Sequence, residues 1–179
     1  RPPWPPRRRP SWRLASYGFL WHVRPGFLWF SPWLPLDLVV CFEVLEHVYE
    51  PLEFIRSLMR LAKPDGLVFV STLNIDGFDL QVLWDESSQI YPPSHINFLA
   101  VKGFKELFRR AGLVDIQVTT PGKLDVDIVR NALLKNPNLL KDNRFLQHMI
   151  ADESTADAFQ KFLSENQLSS HAWVIGKKV

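Results

Sequence analysis

The sequence predicts an α/β fold, because short apolar runs alternate with amphipathic segments along most of its 179 residues. Two of these runs, residues 36–42 and 67–71, are continuous and rich in Val, as is typical of strands buried on both faces of a parallel sheet. The segment between them has helical periodicity. Together the three segments predict one strand–helix–strand unit.

The intervening segment, residues 44–62, predicts a helix because apolar residues recur there at every third or fourth position. Pro51 stands where a helix could restart, since proline is tolerated in a first turn. The sequence Lys-Pro-Asp-Gly at 63–66 predicts a turn that ends the helix before the second strand.

The second half of the chain continues the alternation. Residues 101–111 form a clear amphipathic pattern, and Gly112 is placed to end that helix. Residues 114–119 predict a third strand and residues 172–176 a fourth. The long stretch between them, residues 125–166, predicts two or three short helices inserted before the last strand.

Composition sets the class of protein. The chain is 46% hydrophobic and 22% charged, with a net charge of +2, as in ordinary globular proteins. A single cysteine excludes an internal disulfide and suits a reducing compartment. No apolar run reaches the roughly 18 residues of a membrane span. We therefore expect a cytoplasmic protein without a membrane partner.

The first 35 residues differ in composition from the rest. Residues 1–36 hold six Arg, eight of the 14 Pro and five of the seven Trp, but no Lys, Asp or Glu. Three explanations compete: a basic arm for nucleic acid or a membrane surface, an extended Pro-rich tail, or a reading-frame artefact. A nucleic-acid partner is not expected, since Lys is absent. We divide the chain into an atypical segment, 1–35, and a domain, 36–179.

Several stretches of this domain resemble a known family. Residues 37–48 (DLVVCFEVLEHV), 61–74 (LAKPDGLVFVSTLN) and 95–112 (HINFLAVKGFKELFRRAG) are similar, in that order, to class I S-adenosylmethionine-dependent methyltransferases. The strand after Ser170 is similar to that family's antiparallel last strand. The resemblance implies strands four to seven of a Rossmann-like, doubly wound sheet, with a helical insertion before the last strand.

The resemblance also implies a cofactor site at the end of the first strand of this domain. Cys41, Phe42 and Glu43 would lie beside the methionine part of S-adenosylmethionine, and Asn74 and His95 would face the substrate. The sequence departs from the family elsewhere, since it has no spaced-glycine loop and no acidic residue before Asp37. Half of the family's cofactor site is therefore missing from this sequence.

This departure has a physical consequence. Without the family's first strand beside it, the strand at 36–42 becomes a long apolar edge, which favours association with another chain. We expect low solubility or marginal stability, and an oligomer formed through this edge.

Four residues are candidate metal ligands. Glu43, Glu46 and His47 have the spacing E-x-x-E-H, which brings two carboxylates and an imidazole together, and His95 could join them. Ubiquinone-pathway O-methyltransferases use a similar motif with a divalent metal, and this resemblance implies a cation that activates a substrate hydroxyl. The alternative is an ordinary helix start, where carboxylates suit the positive end of the dipole.

Other side chains are candidates for catalysis and substrate binding. His47 and His95 could each act as a general base toward a hydroxyl, because the pKa of histidine lies near neutrality; the alternative is a structural hydrogen-bonding role. Asp125 and Arg130 open the helical insertion, where the family often recognises substrate, although a solvated helix end with a capping Asp explains them equally.

Two functions remain open at this point. The first is methyl transfer from S-adenosylmethionine to an oxygen of a small molecule or sugar-like metabolite. The second is a catalytically inactive remnant or partner subunit that lacks the glycine-rich cofactor loop.

Overall fold

A mixed four-stranded sheet organises the computed structural model, which describes residues 35–179. The strands are β1 (Leu36–Phe42), β2 (Ala62–Leu73), β3 (Leu113–Thr119) and β4 (His171–Lys178). They lie in the order β1-β2-β4-β3. Strand β1 runs parallel to β2, and β4 runs antiparallel to both of its neighbours. The predicted α/β class and antiparallel last strand are thereby confirmed.

Within residues 35–179, six α-helices connect the strands. They are α1 (Pro51–Leu61), α2 (Phe78–Leu83), α3 (Val101–Ala111), α4 (Asp125–Lys135), α5 (Arg144–Ala151) and α6 (Glu153–Glu165). Helices α1 and α3 cover one face of the sheet, where Ile55, Phe104 and Phe108 pack against strand residues such as Val68 and Val174. The main hydrophobic core lies between this face and the two helices.

The helical insertion forms a second core of its own. Helices α4, α5 and α6 lie between β3 and β4 in the chain, as the sequence predicts. Val129, Ile150 and Leu163 from these helices are buried together with Leu83 of α2. Helix α2 thus joins the insertion to the end of β2.

The predicted helix over 44–62 is wrong in its first half. Residues Leu45–His47 form a single 3-10 turn, the backbone is extended at Val48, and α1 begins only at Pro51. Proline explains the break, because its ring would clash with the carbonyl four residues earlier and it disfavours a helical residue before it. Glu50, at φ −121° and ψ 74°, is accordingly not helical.

The predicted turn at 63–66 falls within the bounds of β2 but outside its pairing with β1. The register passes from Leu36 and Ala62 directly to Leu38 and Leu67, so residues 63–66 form an irregularity between paired positions. Asp65 lies there in the left-handed region at φ 64°, and Lys63 Nζ lies 2.9 Å from Asp37 Oδ1. The turn-forming residues therefore interrupt the strand locally without ending it.

The other face of the sheet carries exposed apolar side chains, which we call the open face. Along β1 the residues alternate, so Val39 points into the core while Leu38, Val40 and Phe42 point the opposite way and are exposed. Trp173 of β4 is exposed on the same side. Within residues 35–179, β1 is an edge strand, as the sequence predicts.

Two further predictions concern the segment at 1–35 and the absence of a membrane span. The separation of an atypical segment, 1–35, lies almost wholly outside the described residues. No helix formed by residues 35–179 has both the length and the apolar character needed to cross a membrane.

Candidate functional site

The candidate functional side chains lie close together at one end of the strands. The carboxyl ends of the parallel strands β1 and β2 meet there, and β4, being antiparallel, contributes its beginning. Ligands of open α/β sheets bind beyond these strand ends. The candidate site has two parts. A group formed by Glu46, His47 and His95, which we call the histidine cluster, lies on the β1 side, and a cavity lies on the β4 side.

Glu43 lies between these two parts. It follows β1 directly and has a left-handed backbone, with φ 51°. Its backbone N–H donates to the Ser71 carbonyl at 3.0 Å, and its carboxylate accepts a hydrogen bond from the Ser71 hydroxyl. Its Oε1 also lies 3.6 Å from Nδ1 of His171, whose Nε2 accepts a hydrogen bond from the Trp173 indole at 2.9 Å.

Glu46 is a buried carboxyl in the 3-10 turn after β1. Its side chain is 2% exposed, and its Oε2 accepts a hydrogen bond of 2.8 Å from the Thr72 hydroxyl. Burial raises the pKa of Glu46, and this effect exceeds the opposing effect of its hydrogen bonds. The second oxygen, Oε1, is directed toward His47 at 3.9 Å from Nε2.

His47 and His95 are held in defined tautomers. Nδ1 of His47 lies 2.7 Å from the Ser94 carbonyl, and Nδ1 of His95 lies 2.6 Å from the Gln89 carbonyl. Since a carbonyl oxygen only accepts, both Nδ1 atoms carry the proton, and Nε2 of each neutral ring keeps its lone pair. The two rings lie close together, with centroids 4.7 Å apart.

The loop that carries His95 is fixed to the turn that carries His47. The backbone N–H groups of Ile96 and Asn97 donate to the Glu46 carbonyl at 2.8 and 3.1 Å. The Asn97 side-chain amide donates to the carbonyls of Leu45 and Val48. These bonds explain how residues almost fifty positions apart come together.

Three of the four predicted metal ligands therefore converge. One donor atom from each of Glu46, His47 and His95 lies within 4.8 Å of the others. A lone pair on Nε2 of His47 facing a carboxylate oxygen is a donor set that suits a cation. Glu43 is not part of this group, because its carboxylate turns toward Ser71 and His171.

The other two predicted cofactor residues lie on opposite faces of β1. Cys41 is half-buried, and burial, with smaller effects from Glu46 and Glu43, raises the pKa of its thiol to about 11. Phe42 is 61% exposed on the open face and packs on Phe69 with ring centroids 5.7 Å apart. Cys41 is therefore a neutral thiol at physiological pH.

A cavity of about 390 Å³ opens beside Glu43 and His171. Its lining runs from exposed residues, among them Lys123 and Leu124, to the fully buried carboxyl of Asp79. Sequence reasoning did not select Asp79 or His171 as a site residue. The only signal for either was its place near a strand end on the ligand side of the sheet, since His171 begins β4 and Asp79 lies in α2, the helix that follows β2.

Asp125 lines this cavity and also holds its wall together. Its carboxylate accepts hydrogen bonds from the Ser169 hydroxyl and the Ser170 backbone N–H, both at 2.6 Å, and from the Gln160 amide at 2.7 Å. Burial raises the pKa of Asp125, but these hydrogen bonds more than offset it and leave the pKa below its usual value. Asp125 thus fixes the start of α4 to the segment before β4.

The remaining two predicted substrate residues lie outside the cavity lining. Asn74 is fully buried, and its amide donates to the Ser169 and Gln167 carbonyls at 3.0 and 3.3 Å. Arg130 donates to the Ala151 carbonyl at 3.3 Å and lies 3.6 Å from Asp127. The structure therefore does not bring either of them together with Asp125 in this cavity.

Comparison with known proteins gives local and global similarities. Ubiquinone biosynthesis O-methyltransferases from Caulobacter vibrioides and Haemophilus ducreyi are 52% identical over 40 residues and 55% identical over 38 residues. These matches cover 22% and 21% of this chain and only 16% of each relative's length.

Solved structures of S-adenosylmethionine-dependent methyltransferases are similar over a larger part of the chain. One from Thermotoga maritima is 13% identical with a TM-score of 0.49, covering 80% of this chain and 56% of that one. One from Archaeoglobus fulgidus is 16% identical with a TM-score of 0.45, covering 81% and 60%.

The family comparison covers the largest continuous region. A family model described as a methyltransferase domain matches residues 5–118, which is more than half of the chain. That region contains β1, β2, the histidine cluster and the part of the cavity wall formed by Glu43 and Asp79. The chain therefore belongs to the class I S-adenosylmethionine-dependent methyltransferases.

Proposed function

We propose that this chain takes part in methyl transfer to an oxygen of a small molecule or sugar-like metabolite, in the cytoplasm, with a divalent cation held by Glu46, His47 and His95. The observation that carries the proposal is the convergence of these three side chains, with both Nδ1 atoms committed to backbone carbonyls. The local similarity to ubiquinone biosynthesis O-methyltransferases supports oxygen as the methylated atom.

The cluster's own residues define what a bound cation would meet. Glu46 would supply a carboxylate oxygen, while Thr72 holds its other oxygen in place. His47 and His95 would supply Nε2, each ring being oriented by its bond to a carbonyl. A cation bound there would lower the pKa of a substrate hydroxyl and so make its oxygen a better nucleophile.

The same nitrogen atoms support general-base catalysis without a metal. Nε2 of His95 or His47 could accept the proton of a substrate hydroxyl while Nδ1 remains bonded to its carbonyl. Glu46 would then stabilise the imidazolium of His47 across 3.9 Å. Metal titration separates the two roles, because only the first requires the cation.

For the methyl donor, we propose that Cys41, Phe42 and Glu43 form the part of the S-adenosylmethionine site that this sequence contains. Glu43 is the strongest candidate, since its left-handed backbone turns the chain at the end of β1 and its carboxylate stays partly exposed. The sequence lacks the glycine-rich loop that would complete the site. For the substrate, Asp125 is proposed to make contact from the cavity wall. Asn74 and Arg130 are proposed to contribute to substrate binding from the adjoining loop and from the helical insertion.

Calorimetric titration of the 179-residue chain with Mn²⁺, in buffer free of chelator, tests the metal site. We expect one bound ion, and we expect His95→Ala to weaken binding by at least about ten-fold, as loss of one ligand should. His148→Ala on α5, outside the cluster, is the matched control and should bind as the parent does. Equal binding by the parent and His95→Ala would refute the metal site.

A second candidate function is a partner subunit that does not itself catalyse. The open face favours it, because Leu38, Val40 and Phe42 expose an apolar edge strand to which another chain could add. Titration with S-adenosylmethionine distinguishes the candidates. Binding that is weakened by Glu43→Gln supports the enzyme, and complete absence of binding supports the partner subunit.

A further inference from the structure

The inner end of the cavity holds an unusual carboxyl group. Asp79, in the first turn of α2, is fully buried, and neither of its oxygen atoms has a hydrogen-bond partner among residues 35–179. A buried carboxyl without donors is costly, because it has lost the hydrogen bonds that water would provide. Such a group in a cavity wall points to a ligand that supplies the missing donor.

The neighbouring Asp125 differs, because its hydrogen bonds are made within the fold. Asp125 receives three hydrogen bonds, from Ser169, Ser170 and Gln160. The Gln160 amide also donates to the Gly122 carbonyl at 3.0 Å. The wall of the cavity is therefore built around one carboxylate that stabilises the fold and a second that remains available.

The charges around the cavity favour a cation. Among residues 35–179, three carboxyl groups line it, those of Glu43, Asp79 and Asp125, whereas the only lysine or arginine in this part of the lining is the exposed Lys123. The imidazole of His171 also lines the cavity, 3.6 Å from the Glu43 carboxylate. Charged groups of one sign in a cleft raise the local concentration of the opposite ion. An anionic or acidic ligand would meet repulsion at the buried end.

The remaining lining is largely apolar. Leu73, Leu124 and Ile128 contribute hydrocarbon surface to the same cavity of about 390 Å³. Small-molecule sites commonly combine such walls with a few polar groups that fix the orientation of the ligand. The cavity thus offers an acidic end and apolar sides.

We propose that the cavity is a substrate site for a small molecule that joins an ammonium group to a short apolar body, and that Asp79 binds the ammonium. The assignment rests on the proposed function only in treating the bound molecule as substrate. In that arrangement Asp79 determines specificity, while the histidine cluster on the other side of Glu43 remains the reactive part of the site.

The test uses n-propylammonium as the probe and n-propanol as its neutral counterpart of the same length. Binding to the 179-residue chain is followed by saturation-transfer NMR at pH 7.5 and constant ionic strength, without S-adenosylmethionine or metal. We expect propylammonium to bind at least about ten-fold more tightly than propanol, as expected for a charged, desolvated hydrogen bond. Equal affinities, or no binding of either compound, would overturn the proposal.

Two variants locate the effect. Asp79→Asn keeps the shape of the side chain but removes its charge, so it should abolish the preference for propylammonium; Asp127→Asn, an exposed change on α4, should leave it intact. Retained preference in Asp79→Asn would show that another group binds the cation. The Mn²⁺ titration is independent of these results, so failure here leaves the metal site testable.

Discussion

Asp79 and Asp125 show how strongly local environment separates two identical side chains. Both are buried and both line the same cavity. Burial, with a further effect from the Asp125 charge, raises the pKa of Asp79 to about 6 and outweighs the lowering effect of the nearby Ser170 side chain, whereas hydrogen bonds hold the pKa of Asp125 below its usual value. The difference lies in the donors that each carboxyl receives.

The raised pKa of Asp79 predicts a pH-dependent cost to stability. Its folded-state value of about 6 exceeds the ordinary 3.8, so its favourable contribution is present below about pH 3.8 and is lost as the pH rises through about 6. Relative to the parent, Asp79→Asn should therefore gain about 2 kcal/mol in free energy of unfolding between pH 4.5 and pH 7.5. Urea denaturation at the two pH values measures this gain.

Asp127→Asn serves as the control for this measurement. Asp127 is exposed and its ion-pair partner is Arg130, at 3.6 Å, so its replacement should give a difference that hardly changes with pH. The same pH-dependent gain in both variants would mean that the burial of Asp79 is not its cause.

Cys41 should be an unreactive thiol in the folded chain. Its pKa of about 11 lowers the thiolate fraction at pH 8, and half-burial limits access by a reagent. We expect reaction with Ellman's reagent to be at least about ten-fold slower in the folded chain than in urea. Because the chain has one cysteine, the absorbance change reports this residue alone. Equal rates in the two states would contradict the prediction.

At the scale of elements, two glycines show that the segment before β4 is closely approached, one at the start of α2 and one in the loop before α4. A Cβ atom added to Gly77 would lie 2.2 Å from Cα of Ser170, and one added to Gly122 would lie 1.8 Å from Oγ of Ser169. The backbone N–H of Phe78 donates to the Leu168 carbonyl at 2.8 Å in the same contact. The cavity wall therefore depends on close backbone approach.

Gly77→Ala should separate the start of α2 from the segment before β4. Because the clash is with backbone rather than with the end of a flexible side chain, we expect a loss of about 2–3 kcal/mol in free energy of unfolding. Gly103→Ala in α3 is the matched control: its added methyl would meet only the Leu99 side chain at 3.4 Å, and alanine favours helix by about 0.5–1 kcal/mol. Thermal denaturation of both variants measures the contrast, and equal effects would contradict the proposed contact.

The sequence predicted elements best where one local pattern determines the outcome. Strand β1 and helix α3 were predicted with correct bounds. A continuous apolar run indicates a buried strand, and a strong amphipathic period indicates a helix, so the local sequence was enough to predict each element. The helical pattern over 44–62 was extended too far toward its beginning, although Pro51 was correctly placed where a helix could restart. The residues at 63–66 interrupt the pairing of β2 with β1, but the strand continues beyond them. Local pattern was insufficient to fix where an element begins or whether a strand continues past a turn.

The candidate site likewise has one part that the sequence predicted and one part that it did not. The spacing of Glu46 and His47 and the resemblance around His95 pointed to a cluster that the structure brings together. Asp79 could not be recognised, because an Asp in a first helical turn normally faces water. Asp79 lies close to Asp125 and Ser170, which are far along the chain and line the same cavity.

At the scale of the whole molecule, the open face is the main liability. It places Leu38, Val40 and Phe42 on an edge strand, with Trp173 beside them on the same side of the sheet. Exposed apolar edge strands promote association. The described part of the chain therefore combines a well-packed core on one side of the sheet with a surface suited to another polypeptide.

Self-association should respond to charge placed on this face. Val40→Lys puts a solvated cation in the middle of β1 and should increase the monomer fraction measured by light scattering after size-exclusion chromatography. Leu134→Lys changes a more exposed leucine on α4, away from the sheet, and should have no effect. A parent chain that is already monomeric at all concentrations would contradict the prediction.

The position of β4 in the sheet also constrains how the protein is made. β4 follows the other three strands in the chain, yet it lies between β2 and β3 and pairs residues about a hundred positions apart, such as Val68 and Gly176. During synthesis, β2 and β3 therefore leave the ribosome before the strand that joins them exists. Until β4 arrives, both strands have unpaired edges, so nascent chains would depend on chaperones for longer than their size alone suggests.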